Sequence, residues 1–261
     1  EWMDTKRYPE PAYSSYFHEF FGQKYKNQHF DLILTGDDNA LKFVGDNPQW
    51  FSRSPVVFAG VNGDPFDLIS GRTNVTGITE RFDFTRTFKL ALTLHPQIKR
   101  MVLIGNTDET AVGVFRNLRS DLHRMAKKEG LVIPPTVEWR GLSQPELGHR
   151  LDALSPDSLV FVFGTLRAEL DHSLMDPSET TAFVRQHTKA PIYSDTISTL
   201  GHGVVGGYFN DGYNNGVLQA QMGQKVLESG STRILPIVND TPYQLAFDAH
   251  ELSRFDISAE T

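Results

Sequence analysis

Two adjacent aspartates, Asp37 and Asp38, follow directly after the apolar run FDLILTG (30–36) and precede Asn39. Carboxylates in such a position can act as a general acid and base, bind a metal ion, contact a ligand or cap a helix. Adjacent side chains diverge, which suits a shared-proton acid pair poorly, and no His or Glu cluster at ligand spacing accompanies them. Two compatible interpretations remain: a helix that starts near Ala40 and a direct ligand contact.

Small polar residues also follow the other apolar runs of the chain. Ligands of open parallel sheets bind outside the carboxyl ends of the strands, so these positions are candidate ligand contacts. Together with the two aspartates, the candidates are Asn62, Asn106, Thr107, Thr165, Asp195 and Thr196. Each of them is equally suited to a helix cap or a turn, and the pattern alone does not choose.

The nine histidines form no metal-binding pattern such as H-E-x-x-H. His202 lies in the glycine-rich stretch TLGHGVVGG (199–207), where it fits either a turn residue or a ligand donor in the cleft. We include it among the predicted ligand contacts. His95 precedes Pro96 and is predicted to be a cation at the C-terminal end of a helix.

Signatures of catalysis and of cofactor binding are missing from the sequence. Neither GHGVVGG (201–207) nor GVNGD (60–64) matches a phosphate-binding or dinucleotide-binding loop, and no G-x-S-x-G elbow occurs. The chain has no cysteine, which excludes thiolate metal sites and cysteine nucleophiles. We therefore expect no cofactor, no metal and no catalytic residue, and we expect a binding protein rather than an enzyme.

Short apolar runs alternate with amphipathic stretches, as in proteins whose parallel strands are covered on both faces. The predicted strands are 30–36, 55–62, 99–106, 158–165 and 190–196. The predicted helices are 83–96, 110–130, 143–154, 180–188 and 214–230. Asp83 and Ser143 are predicted N-caps, and Gly130 a C-terminal stop. This alternation predicts an α/β protein with parallel sheets.

The composition fits a folded, acidic protein. Hydrophobic residues make up 39% of the 261 residues, enough for a substantial core, and the formal net charge is −7. An acidic chain is not expected to bind nucleic acid or an anionic membrane surface. No run reaches the roughly 18 to 20 apolar residues of a membrane span. The opening stretch EWMDTKRYPEP does not look like a signal peptide, so we expect a processed or trimmed chain.

The sequence resembles type I periplasmic-binding-protein-like domains of the ABC transporter substrate-binding group, over essentially the whole chain. It is most similar to the extracytoplasmic sensor domains of bacterial histidine kinases and diguanylate cyclases. The stretches that carry the resemblance are WMDTKRYPEPAY (2–13), FDLILTGDDNALKFV (30–44), PVVFAGVN (55–62), NVTGITERFDFTRTFKLALTLHP (74–96), APIYSDTISTLGHGVVGGYFNDGYNNGVLQA (190–220) and PYQLAFDAHELSRFDI (242–257). Within them, MDTKR and a D-x-x-x-L-x-R-F-x-I motif look more like sensors than free transport receptors; the motif residues are Asp248, Leu252, Arg254, Phe255 and Ile257.

The resemblance implies two Rossmann-like lobes with parallel sheets, joined by crossover strands, with ligand held between them. Lobe one would comprise 1–77 and 205–232, and lobe two 78–204 and 233–261. NVTGITE and the GVVGG region would be crossovers. Family members carry a further strand–helix unit before MDTKR, which we expect to be missing from this sequence.

The resemblance further implies a periplasmic or otherwise extracytoplasmic domain that signals by lobe closure to a downstream transmembrane module of a two-component or cyclase system. A soluble solute-binding protein of an ABC transporter is the alternative. Polar groups with the aromatic residues Phe58, Tyr193 and Tyr208 suit an amino acid, a carboxylate or a similar polar metabolite as ligand. A homodimer is compatible with the resemblance.

Overall fold

A computed structural model describes residues 1–5, 8, 11–51, 53–69, 71–80, 84–107, 109–167, 174–239 and 243–258, without the side chains of 11 and 109–113. The chain divides into two compact units. One comprises Glu1–Arg81 and Asp211–Pro242, and the other comprises Phe82–Asn210 and Tyr243–Thr261. The chain thus changes unit after residues 81, 210 and 242, whereas the expected lobe boundaries fell after 77, 204 and 232.

Helices and strands alternate through most of the described residues. The helices are α1 (Pro11–Tyr25), α2 (Asp38–Asp46), α3 (Pro48–Phe51), α4 (Pro65–Leu68), α5 (Phe84–Leu94), α6 (Glu109–Glu129), α7 (Gln144–Asp152), α8 (Pro177–His187), α9 (Gly212–Ser229) and α10 (Ala249–Arg254). The strands are β1 (Ile33–Gly36), β2 (Val56–Val61), β3 (Val75–Thr79), β4 (Arg100–Gly105), β5 (Thr136–Arg140), β6 (Ser158–Phe163), β7 (Ile192–Ser194), β8 (Gly206–Asn210) and β9 (Tyr243–Phe247). The predicted α/β class with parallel sheets is confirmed.

The five predicted strands and five predicted helices all occur, with ends shifted by a few residues. Ser143 caps α7 through its side chain, and Gly130 follows α6 with a φ of +67°, as predicted. Asp83 lies outside the described residues. Strands β5 and β9 and helices α1, α3 and α4 were not predicted.

The first unit contains a parallel sheet in the order β1-β2-β3. Helix α9 lies against β2 and β3, where its Met222 and Val226 pack in one core cluster with Val57 and Ile78. A second cluster packs on the sheet from α2 and α3, and includes Phe51 and Phe58. The side-chain amide of Gln219 on α9 donates to the carbonyls of Thr35 and Val57, at 2.8 and 3.0 Å.

The second unit contains a parallel sheet in the order β5-β4-β6-β7. All six residues of β6 are buried, because helices cover both faces of this central strand. Strand β8 runs beside β7 through two parallel bridges, Ile192–Val204 and Thr196–Asn210, and pairs antiparallel with β9. Segment 205–210 therefore belongs to the second unit, although it was expected in lobe one.

Segment 233–242 belongs to the first unit, although it was expected in lobe two. Val238 accounts for this placement, because it forms a parallel bridge with Ile78 next to β3. Its carbonyl accepts from the Thr79 N–H at 2.9 Å, and its own N–H donates to Gly77 at 2.9 Å. These bonds extend the three-stranded sheet by one short segment.

Candidate functional site

A small cavity lies in the second unit, where β7 ends. Its volume is about 10 Å³, the space of one water-sized group. Side chains from α5, β6, β7, β8 and β9 and the residue after β7 line it: Phe84, Thr87, Phe161, Ser194, Asp195, Tyr208, Asn210 and Tyr243. Because β7 and β8 run parallel, their carboxyl ends meet here, at the edge where ligands of parallel sheets bind.

Thr87 fixes the wall of this cavity. Its hydroxyl accepts from the Tyr208 N–H at 3.0 Å and donates to the Tyr208 carbonyl at 3.3 Å. The buried side chain thereby supplies β8 with hydrogen bonds that a neighbouring strand would otherwise make. Gly207 permits this approach, since a Cβ there would lie 2.8 Å from the Thr87 methyl carbon. Helix α5 therefore sets the position of Tyr208.

Asp195 is the one acidic group among the described residues that line this cavity. It follows β7 directly, is half-buried, and its Oδ1 accepts from the Thr196 hydroxyl at 3.1 Å. The loop is further held by Ser194, whose hydroxyl accepts from the Thr196 N–H at 3.1 Å and bonds the Thr199 hydroxyl at 2.9 Å. Burial raises the pKa of Asp195 to about 6, because desolvation disfavours the charged carboxylate.

Three further predicted contacts lie along the same edge of the sheet. Asn106 and Thr107 follow β4, and Thr165 follows the neighbouring strand β6. Arg140 at the end of β5 donates from Nε to the Asn106 carbonyl at 3.1 Å and so holds this loop. Because β4, β6 and β7 are consecutive strands in the sheet, the structure brings these residues to one edge with Asp195 and Thr196.

His202 is not part of that group. After Asp195 the chain forms a short 3₁₀ turn at Ile197–Thr199 and runs back, so that the Val205 N–H donates to Ile192 at the start of β7. His202 lies in this return turn, exposed, with its N–H bonded to the Thr199 carbonyl at 3.1 Å. The structure therefore places it as a turn residue near the amino end of β7, away from the edge where β7 ends.

The two aspartates of the first unit have different partners. Asp37 is the N-cap of α2, with φ +76°, and its carboxylate accepts from the Asp38 N–H at 2.9 Å. Asp38 begins the helix, two positions before the predicted start at Ala40. Its carboxylate accepts from the N–H groups of Asn62 and Gly63, at 3.2 and 3.3 Å. Asp38 thus ties together the loops that follow β1 and β2, and the helix-cap interpretation holds for Asp37.

Two of the three aromatic residues predicted near a ligand lie in the cores. Phe58 is fully buried in the first unit. Tyr193 is fully buried in the second, and only Tyr208 lines the cavity. Tyr193 packs in the core of the second unit, with its ring stacked on that of Phe161 at 5.5 Å. The cavity residues that sequence reasoning missed are Phe84 and Thr87 of α5, Phe161 of β6, Ser194 of β7, Asn210 of β8 and Tyr243 of β9. The contributions of α5 and β9 to this edge had no local sequence signal.

His95 is not the predicted helix-capping cation. It is 2% exposed, its Nε2 lies 3.0 Å from the Tyr193 hydroxyl, and its ring meets Phe255 edge-on. Burial lowers the pKa of His95 to about 4, so the ring is neutral at physiological pH. It serves as a buried hydrogen-bond partner and not as a charge at a helix end.

Across the described ranges, no group of three or more His, Asp or Glu side chains is arranged to hold a metal ion. No helix formed by the described residues combines the length and the apolar character needed to cross a membrane.

No protein-family model matches the sequence, and no curated protein matches it. The solved structures that share its fold include the following three. A ligand-free, open substrate-binding protein with adhesive properties from Clostridium difficile has a TM-score of 0.64 and 17% identity, over 95% of this chain and 79% of that one. A conserved domain protein from Vibrio cholerae has the same TM-score and identity, over 95% and 80%. An ABC domain in complex with L-Trp from Streptococcus pneumoniae has a TM-score of 0.63 and 15% identity, over 92% and 80%.

At these identities the likeness shows the fold alone. The chain has the α/β fold of these substrate-binding proteins, which confirms the fold that the resemblance implies.

Proposed function

We propose that this chain is the extracytoplasmic, small-molecule-binding domain of a membrane signal-transduction protein and has no catalytic role of its own. One observation carries the binding function: polar side chains collect around a cavity at the strand ends of the second unit, on a fold shared with substrate-binding proteins. The similar ABC domain holds L-Trp, which supports a polar metabolite as ligand. Ligand would favour a closed form through its higher affinity for that form.

The C-terminal segment supports the sensor role. Asp248 caps α10 and accepts from the Gly201 N–H at 3.0 Å, while Leu252 is buried in the core of the second unit. Glu251 lies 3.4 Å from Arg185 in a buried ion pair, and Phe255 contacts His95. A segment seated this firmly on the second unit can pass movement of that unit to a downstream transmembrane helix and a kinase or cyclase module. Homodimerisation in the membrane is part of the proposal.

The binding function is tested by thermal unfolding of the purified domain with amino acids, carboxylates, sugars, nucleosides and short peptides. A ligand at 100 times its dissociation constant should add about 2.7 kcal/mol to the free energy of unfolding. A domain whose unfolding responds to no compound of the panel would contradict the proposal.

The sensor role is tested in the full-length receptor by inserting a flexible Gly-Ser segment after Ile257. We expect unchanged ligand affinity and lost output, because the connection between α10 and the membrane would no longer be rigid. Undiminished output would refute transmission through this segment. The second candidate, a soluble solute-binding protein that delivers substrate to a transporter, is favoured by the substrate-binding neighbour. A gene that encodes no downstream membrane helix and no signalling module would favour this transport function over the sensor function.

A further inference from the structure

We propose that the cavity of the second unit binds the ammonium group of an organic amine, with the Asp195 carboxylate as its counter-ion. This inference rests on the proposed binding function and specifies the chemical class of its ligand. The charge, the size and the walls of the cavity all suit an ammonium group.

The charge of Asp195 has no counter-ion in the described part of the second unit. The described partner of its carboxylate is the neutral hydroxyl of Thr196, and no described Lys, Arg or His forms an ion pair with it. A carboxylate withdrawn from water is costly unless a cation or several hydrogen-bond donors compensate it. A ligand ammonium would provide both the charge and the donors. Asp38 differs from Asp195 in this respect, because its carboxylate already accepts hydrogen bonds from the backbone N–H groups of Asn62 and Gly63.

The cavity volume selects among ligand groups. About 10 Å³ holds one water-sized group, and a terminal ammonium is of that size. A carboxylate or phosphate is larger and would in addition meet the negative charge of Asp195. The rest of the ligand must therefore lie outside the cavity.

The walls also suit a cation. Four aromatic residues contribute to them, Phe84, Phe161, Tyr208 and Tyr243, and aromatic rings attract cations electrostatically. The ring of Tyr243 already carries the Arg86 guanidinium 5.4 Å from its centroid. Arg86 is a described positive charge next to the cavity wall, and an anionic ligand held by it is the competing outcome that the experiment must separate.

Protonation of Asp195 gives the proposal a pH signature. The remaining titratable groups of the described walls are the phenols of Tyr208 and Tyr243, with the guanidinium of Arg86 on the latter. Burial raises the pKa of Asp195 to about 6, so the carboxylate is charged at neutral pH and becomes neutral as the pH falls through that value. Binding of an ammonium should weaken over that range, whereas binding of a carboxylate should strengthen.

The experiment is calorimetric titration of the domain with matched probes: tryptamine, L-tryptophan and indole-3-propionate, then phenethylamine, L-phenylalanine and 3-phenylpropionate. We expect amine-bearing members to bind at about pH 7.5, their affinity to fall near pH 5, and the deaminated acids not to bind. Asp195→Asn should weaken amine binding about ten- to a hundredfold, the range of a charged hydrogen bond. Asp152→Asn, the same change at an exposed position of α7, should leave it unchanged.

Three results would overturn the inference: deaminated acids that bind as tightly as the amines, amine affinity unaffected by Asp195→Asn, or affinity that rises in acid. If no amine probe binds while the broader ligand panel gives a compound without an amino group, the inference fails and the binding function stands. If neither panel gives a ligand, the binding function fails with it. Thermal unfolding of both variants without ligand checks that they fold.

Discussion

Lowering the pH should destabilise the second unit through one residue, His95. In the folded chain its neutral ring is enclosed by Tyr193 and Phe255, and burial lowers its pKa from 6.5 to about 4. The unfolded chain therefore takes up the proton first as the pH falls. The contribution of His95 to stability is fully present above about pH 6.5 and is lost as the pH falls towards 4.

The size of the effect follows from the two pKa values. Between about pH 7.5 and pH 5, unequal protonation of the two states should lower the free energy of unfolding by about 2 kcal/mol, and by about 3 kcal/mol when titration is complete. His95→Gln keeps a polar partner for Tyr193 and cannot titrate. The variant should therefore lack this component, while the carboxylates of the protein contribute equally in both proteins.

Urea unfolding followed by circular dichroism at the two pH values measures the difference directly. Hydrogen exchange of peptides from β4 and β6 shows whether the loss lies in the second unit, as expected from the position of His95. Equal pH dependence in the wild type and His95→Gln would show that the ring is already protonated or solvated in the folded state. The reasoning from burial would then be refuted.

Three further substitutions test the contacts around the site. Thr87→Val leaves the Tyr208 N–H without its acceptor and should lower the free energy of unfolding in urea by about 1–3 kcal/mol. Ligand binding measured by titration calorimetry should also weaken. Unchanged binding would show that the contact from α5 to Tyr208 does not shape the binding site. Arg185→Met removes the cation 3.4 Å from buried Glu251 and should lower the free energy of unfolding by about 3–5 kcal/mol. Adding Glu251→Leu should restore most of this stability. A double variant no more stable than Arg185→Met alone would contradict the expectation. Asp38→Ala releases the loop after β2 and should cost about 1 kcal/mol, seen as faster hydrogen exchange in that loop only.

The sequence was most informative where burial on both faces imposes a simple pattern. Strand β6 reads SLVFVF and is buried at every position, so both its existence and its polar C-terminal neighbour Thr165 could be predicted. The same pattern predicted that Asn106, Thr165 and Asp195 follow parallel strands, and they follow three consecutive strands of one sheet. Strands β5 and β9 were not predicted, because they are half-exposed and carry no continuous apolar run.

The failures arose where a residue's role depends on distant parts of the chain. His202 follows a strand in the sequence, but the chain turns back before reaching it, and only the pairing of Val205 with Ile192 reveals this. His95 occupies a helix end, but Tyr193, far along the chain, makes it a core residue. Thr87 and Tyr243 enter the cavity walls because β8 and β9 pair beside β7, a long-range arrangement with no local signal.

The threefold change of unit along the chain has a consequence for folding during synthesis. The first unit needs Val238 beside β3 and α9 over its sheet, so it cannot be completed until the segment that contains Val238 has left the ribosome. The second unit also waits, for β9 and α10. The first unit can be completed only after Phe82–Asn210 of the second unit have been made, and truncation after residue 81 or 210 would leave exposed strand edges, which are prone to aggregation. Each unit thus has its own core, but its completion requires a chain segment that follows most of the other unit.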